Sequence, residues 1–74
     1  MPNQSKNKLL IKFGDKVREE RIKRNYSQEH LAEKAGVHRT YIGMIERAEK
    51  NITLLNIEKI SKALGLKPSR LLDF

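Results

Sequence analysis

Cysteine is absent from these 74 residues, which excludes a disulfide framework and a thiolate metal site. The two histidines, His30 and His38, lack the i, i+4 or paired spacing that zinc sites use. No metal and no cofactor is therefore expected. Long apolar runs are missing too. No segment approaches the roughly 18 apolar residues of a membrane span, and the start, MPNQSKNK, has none of the apolar character of a signal peptide. A reducing, cytoplasmic setting suits this composition. Aromatic residues number four, Phe13, Tyr26, Tyr41 and Phe74. That is few for a single-strand stacking platform or an RNA-recognition sheet. No stretch alternates apolar and polar residues between turn signals, so strands are not expected. Acidic residues are in the minority: nine Asp and Glu against sixteen Lys and Arg leave a net charge of +7 and a pI near 10.0.

What is present is a short, basic chain. Its charge points to a polyanion (DNA, RNA or anionic lipid), although a well-solvated charged surface gives the same sum. A folded chain of this length buries only roughly 60% of the surface its unfolded form exposes. The core is thin, and dimerisation would add stability.

Helical spacing organises the sequence after a flexible polar start, residues 1–7, and the domain is expected over 8–74. Leu10, Phe13 and Val17 lie on one face of a first helix running from about 8 to 24. Ile22 falls off that stripe, Arg21 falls close to it, and Asn25 suits a left-handed helix end. Ser27 is a good N-cap for a second helix, 28–35, with Glu29 favourably placed in its first turn. Leu31 and Ala35 face inward, small Ala32 allows close approach of a neighbour, and Gly36 stops the helix. A third helix is expected from Arg39 to about Ala48, anchored by Ile42 and Ile45, with His38 as a weak N-cap. Thr53 caps a fourth, with Ile57, Ile60 and Leu64 inward and Gly65 at its end. Lys67, Pro68 and Ser69 open a fifth. Five short helices make a compact all-α domain.

Residues 27–46 carry the functional signal. A second helix that stops abruptly at Gly36 lets a third leave at a steep angle. Val37, Ile42 and Ile45 hold the third helix from behind, leaving a face of Arg39, Thr40, Gly43, Met44 and Arg47, with His38 and Tyr41 at its edges. None of these is needed for a core, and the face is expected to be exposed.

The segment VREERIKRNYSQEHLAEKAGVHRTYIGMIER resembles the Cro/repressor-type, or Xre, helix-turn-helix family, through SQE-x-LA-x-x-A-G-V and I-x-x-IER. The continuation EKNITLLNIEKISKALGL matches that family's fourth helix. Within the family, HRTYI together with KNIT is similar to controller proteins of restriction–modification systems. The resemblance spans about residues 9 to 72. It implies a five-helix, lambda-repressor-like DNA-binding domain with a central helix-turn-helix.

The resemblance also assigns roles. Gln28 matches a glutamine that meets DNA phosphate, where a helix N-terminus also favours an anion; a solvated amide is the alternative. Arg39 and Thr40 match the base-reading start of the recognition helix, where Arg bonds guanine bidentately and Thr uses its hydroxyl or touches a thymine methyl. Tyr41 would reach a phosphate or the groove edge, or be a half-buried surface tyrosine. Arg47 and Asn51 match backbone-contacting positions. His38 would meet a phosphate when protonated, against the blander reading of an exposed histidine. Gly43 and Met44 offer no hydrogen-bonding side chain, so base reading should be sparse and DNA shape should contribute. Arg21 and Glu46 match a partly buried salt bridge between helices one and three. Two departures stand out: Ala48 and Glu49 where relatives carry glycine, and His38 where many carry Ser or Thr.

One recognition helix reads only a few base pairs, so a homodimer on a two-fold-symmetric operator is expected. Leu66, Leu71, Leu72 and Phe74 are the candidate dimer surface, with Leu54 or Leu55 joining it. Some of these must instead close the monomer core. The expected function is sequence-specific regulation of transcription on double-stranded DNA, with RNA polymerase as a further partner. Alternatives are a phage-type repressor, an antitoxin autoregulating its operon, or a protein-interaction module. An enzyme finds no support: Glu29, Glu33 and His30 share no nucleophile or metal set.

Overall fold

The computed structural model describes residues 7–74 and contains five helices: α1 (Lys8–Lys23), α2 (Gln28–Ala35), α3 (Arg39–Glu46), α4 (Leu54–Ala63) and α5 (Pro68–Leu71). There is no strand among the described residues. Of the flexible start expected over 1–7, residues 1–6 lie outside the described residues. Asn7 is the N-cap of α1, its side chain accepting from the Leu9 and Leu10 N–H groups at 2.8 and 3.3 Å.

Each helix begins for a local chemical reason. Ser27 Oγ accepts from the His30 N–H at 2.9 Å and Thr53 Oγ1 from the Asn56 N–H at 3.1 Å, satisfying donors that have no partner within the helix. Pro68 occupies the first turn of α5, where its missing N–H costs nothing. His38, expected to cap weakly, does cap α3: its Nδ1 accepts from the Thr40 N–H at 3.3 Å.

Four helices end in one motif, a left-handed residue followed by a six-residue backbone closure. The left-handed positions are Asn25 (φ 58), Gly36 (φ 70), Ala48 (φ 60) and Gly65 (φ 73). The closing bonds run from Tyr26 N to Arg21 O, Val37 N to Ala32 O, Glu49 N to Met44 O and Leu66 N to Ser61 O. This corrects the expected end of α3. The helix stops at Glu46, and Ala48 occupies the left-handed position despite its Cβ. The turn glycine common in relatives is thus replaced in composition but not in geometry.

The core draws on every helix: Phe13 and Val17 from α1, Leu31, Ala32 and Ala35 from α2, Ile42 and Ile45 from α3, Ile57 and Ile60 from α4 with Leu64 at its C-cap, and Leu71 from α5. Leu71 is fully buried. It closes the monomer and is removed from the candidate dimer surface. Leu66 is half-buried against the same core. Leu72 and Phe74 remain exposed, as do Leu54 and Leu55.

Candidate nucleic-acid interface

The N-terminal part of α3 stands clear of the body. Arg39 and Thr40 are exposed, while Ile42 and Ile45 one turn on are buried beneath them. The abrupt stop of α2 makes this possible. Gly36 takes a left-handed conformation that a Cβ would strain, and Val37 then packs back against the core.

The far end of α3 is held by charge. The Glu46 carboxylate accepts from Arg21 Nε at 2.7 Å and from Arg21 Nη2 at 3.0 Å, and Arg21 Nη1 donates to the Tyr26 carbonyl at 2.9 Å. The same carboxylate accepts from Gln28 Nε2 at 3.1 Å. Only 13% of the Arg21 side chain and 4% of the Glu46 side chain is exposed. A planar guanidinium against a carboxylate, both largely out of water, gives the strongest and most directional of ion pairs. One carboxylate thus ties together α1, α2 and α3.

Gln28 is therefore not a freely rotating surface amide. With Nε2 turned to Glu46, its Oε1 faces Gly43 and Arg47. Gly43 itself is buried, contrary to its expected place on an exposed face. Gln28, Arg39, Thr40, Gly43 and Arg47 together line a shallow concavity of about 210 Å³. Its rim carries two guanidinium groups, an amide and a hydroxyl, and no carboxylate, which suits a phosphodiester. Arg47 Nε also lies 3.1 Å from Glu49 Oε1, with both side chains well exposed.

The remaining candidates sit apart from this concavity. Tyr41 is half-buried against the core, and its Oη accepts from Asn56 Nδ2 on α4 at 2.9 Å. His38 is exposed and lines a wider cleft with Ser27, Glu29, His30 and Glu33. Asn51 is exposed in the loop between α3 and α4 and lines an apolar groove of about 240 Å³ with Leu9, Leu10, Leu72 and Phe74 among others. Two features went unforeseen. Asn56 fixes the Tyr41 hydroxyl, although its sequence position shows only a polar residue in the first turn of α4. Glu20, which the sequence reading does not single out, is buried and gathers Arg24 at 2.8 Å, Lys16 at 3.3 Å and Lys23 at 3.4 Å. The hydrogen bond from Arg24, helped by Lys16 and Lys23, outweighs burial and lowers the Glu20 pKa from 4.5 to about 2. No helix among the described residues is long and apolar enough to cross a membrane, and no group of three or more His, Cys, Asp or Glu among them could hold a metal.

The chain resembles proteins of known type along nearly its whole length. Residues 17–71 match the helix-turn-helix family. Control protein C.BamHI of Bacillus amyloliquefaciens is 56% identical over 69 residues, covering 92% of this chain and 85% of the relative. The crystal structure of the restriction–modification controller protein C.AhdI from Aeromonas hydrophila superposes with a TM-score of 0.83 at 44% identity, covering 84% of this chain and 94% of that one. SinR, the master regulator for biofilm formation, solved in complex with DNA, superposes with a TM-score of 0.78 at 37% identity, covering 82% and 98%. The chain belongs to the Xre-type helix-turn-helix family of DNA-binding transcription regulators, among relatives that include restriction–modification controller proteins.

Proposed function

We propose that this chain is a restriction–modification controller that binds a palindromic operator in duplex DNA as a homodimer, through α3 in the major groove. The observation that carries the proposal is the pairing of an exposed Arg39–Thr40 tip on α3 with the carboxylate-free concavity beside it. Arg39 and Thr40 read base edges. Gln28 and Arg47 hold the phosphate backbone, and the fixed orientation of Gln28 leaves its second amide hydrogen to donate. His38 contributes a phosphate contact from Nε2, because Nδ1 is engaged as the helix cap. Tyr41 presents a hydroxyl whose position Asn56 fixes and whose own proton is left to donate at the groove edge. Asn51 meets the backbone from the next loop.

Homodimerisation places two such helices about one helical turn apart, roughly 34–36 Å. Leu72 and Phe74, with exposed Leu54 and Leu55, offer the apolar surface for it. At low occupancy the dimer assists RNA polymerase; at full occupancy it represses.

Selection of bound duplexes from a random pool tests this reading. Recovery of two-fold-symmetric sequences with half-sites about one turn apart is expected. Recovery of no preferred sequence, or of a single unrepeated site, would overturn it. A phage-type repressor or an antitoxin would share this DNA chemistry and differ in the neighbouring gene. A protein-interaction module would leave the pool unenriched.

A further inference from the structure

We infer that Gly43 is a positioning residue for DNA binding: by placing no Cβ on its turn of α3, it seats the Arg47 guanidinium across the helix, beside Gln28, as one wall of a backbone-phosphate site. The inference rests on the duplex-binding reading above.

Glycine is among the least favourable residues in a helix interior, yet Gly43 lies in the middle of α3. Backbone conformation does not require it, since the positive-φ glycines are Gly36 and Gly65. Nor does close approach of another helix. The nearest atoms that a Cβ on Gly43 would meet beyond its own helix backbone are side-chain ends: Arg47 Nη1 at 3.0 Å, Gln28 Oε1 at 3.6 Å and Arg47 Cζ at 3.7 Å. The space above Gly43 is occupied by the guanidinium. Arg47 lies one turn further along and reaches back over Gly43, with its Nε edge against Glu49 at 3.1 Å. Gln28 is turned by Glu46 so that its carbonyl oxygen faces the same point. The absence of a side chain at residue 43 thus lets groups from α2 and from the residue that caps α3 share the concavity with Arg39 and Thr40.

The 3.0 Å contact is with the tip of a flexible side chain, so a methyl group would push the Arg47 guanidinium off its seat by a few tenths of an ångström without disturbing the fold. Gly43→Ala should therefore melt at the native temperature or above it, because alanine is the better helix former. Affinity for the selected duplex should nonetheless fall severalfold, up to roughly tenfold, and about equally on all sequences. The plot of log K against log [salt] should become shallower by about 0.9, the share of one neutralised phosphate. Arg47→Ala should show the same two changes, and Gly43→Ala combined with Arg47→Ala should bind no more weakly than Arg47→Ala alone. Native affinity and native salt slope in Gly43→Ala would overturn the inference while leaving the duplex-binding reading standing. Additive losses in the double variant would overturn it too. A native chain without salt-dependent duplex binding would remove the reading and the inference together.

Discussion

Arg21 and Glu46 meet through two hydrogen bonds, 2.7 and 3.0 Å long, across 25 residues of chain. This pair fixes the C-terminal end of the recognition helix to α1. It also accounts for a charged residue near the apolar stripe of α1, because the guanidinium fills the space that an aliphatic side chain would otherwise take. Arg21→Ala leaves Glu46 buried with Gln28 as its remaining donor. Breaking one partner out of a buried pair destabilises by about 3–5 kcal/mol. The residual exposure of Arg21 puts the expectation at the lower end, about 3 kcal/mol. Thermal melting followed by far-UV circular dichroism measures it, and an unchanged midpoint would sink the role assigned to the pair.

Glu20 makes stability depend on acid. Its folded pKa, about 2, lies below the ordinary value of 4.5, chiefly through Arg24. A carboxylate shifted in this direction stabilises the fold fully above its unfolded pKa, and that contribution is lost as pH falls through the folded one. The window is therefore pH 4.5 down to about 2. The contribution is about 1–3 kcal/mol, reduced by solvent around the exposed Lys23 and part-exposed Arg24. Glu20→Gln should be less stable than the native chain at pH 7 and should approach it near pH 2. A constant difference across that range, measured by urea denaturation, would contradict the assignment.

Ala48 is a stability reserve. A left-handed alanine is disfavoured by roughly 1–2 kcal/mol relative to right-handed backbone, and glycine relieves this while losing a methyl group that is mostly buried here. Ala48→Gly should raise stability by about 0.5–1 kcal/mol. The converse change, Gly36→Ala, should lower it by about 1 kcal/mol. Equilibrium denaturation of the two variants gives both signs, and equal signs would refute the account of these helix ends.

Arg39 separates base reading from backbone attraction. Arg39→Ala should weaken binding to the selected duplex by about 1–3 kcal/mol and relax preference at one base position in each half-site. Equal weakening across all duplexes would make Arg39 a phosphate contact. Binding isotherms on a panel of single-base variants decide between the two.

Much of this architecture is legible in the sequence because it is set locally. Ser27, Thr53 and Pro68 announce helix starts, and Gly36 and Gly65 announce stops, through interactions within a few residues. The apolar spacing of Ile57, Ile60 and Leu64 gives the buried face of α4 directly. What escapes is decided by distant neighbours. Gly43 falls at an outward position on a helical wheel, and the Arg47 and Gln28 side chains lie over it. Leu71 shares an apolar tail with Leu72 and Phe74, and nothing in the order of these residues says which one turns inward. Glu20 belongs by type to a solvated face, and burial becomes tolerable through three cations of its own helix and the residue that caps it. At the candidate interface the sequence pattern nominates residues, and their surroundings come from the fold. The sharing of one carboxylate by Arg21 and Gln28, and the bond from Asn56 to Tyr41, join residues 15 to 25 positions apart and are set by the packing of the helices.

α1 and the end of α3 approach so closely that a methyl group at Gly14 would fall 2.5 Å from the Ile45 carbonyl oxygen and 3.0 Å from that of Glu46. These are rigid backbone atoms, so any larger residue at position 14 must push the two helices apart. The separation of α1 from the C-terminal end of α3 is thereby set by backbone against backbone. Gly14, on α1, works as a stop that fixes how closely the end of α3 can seat on the body of the domain.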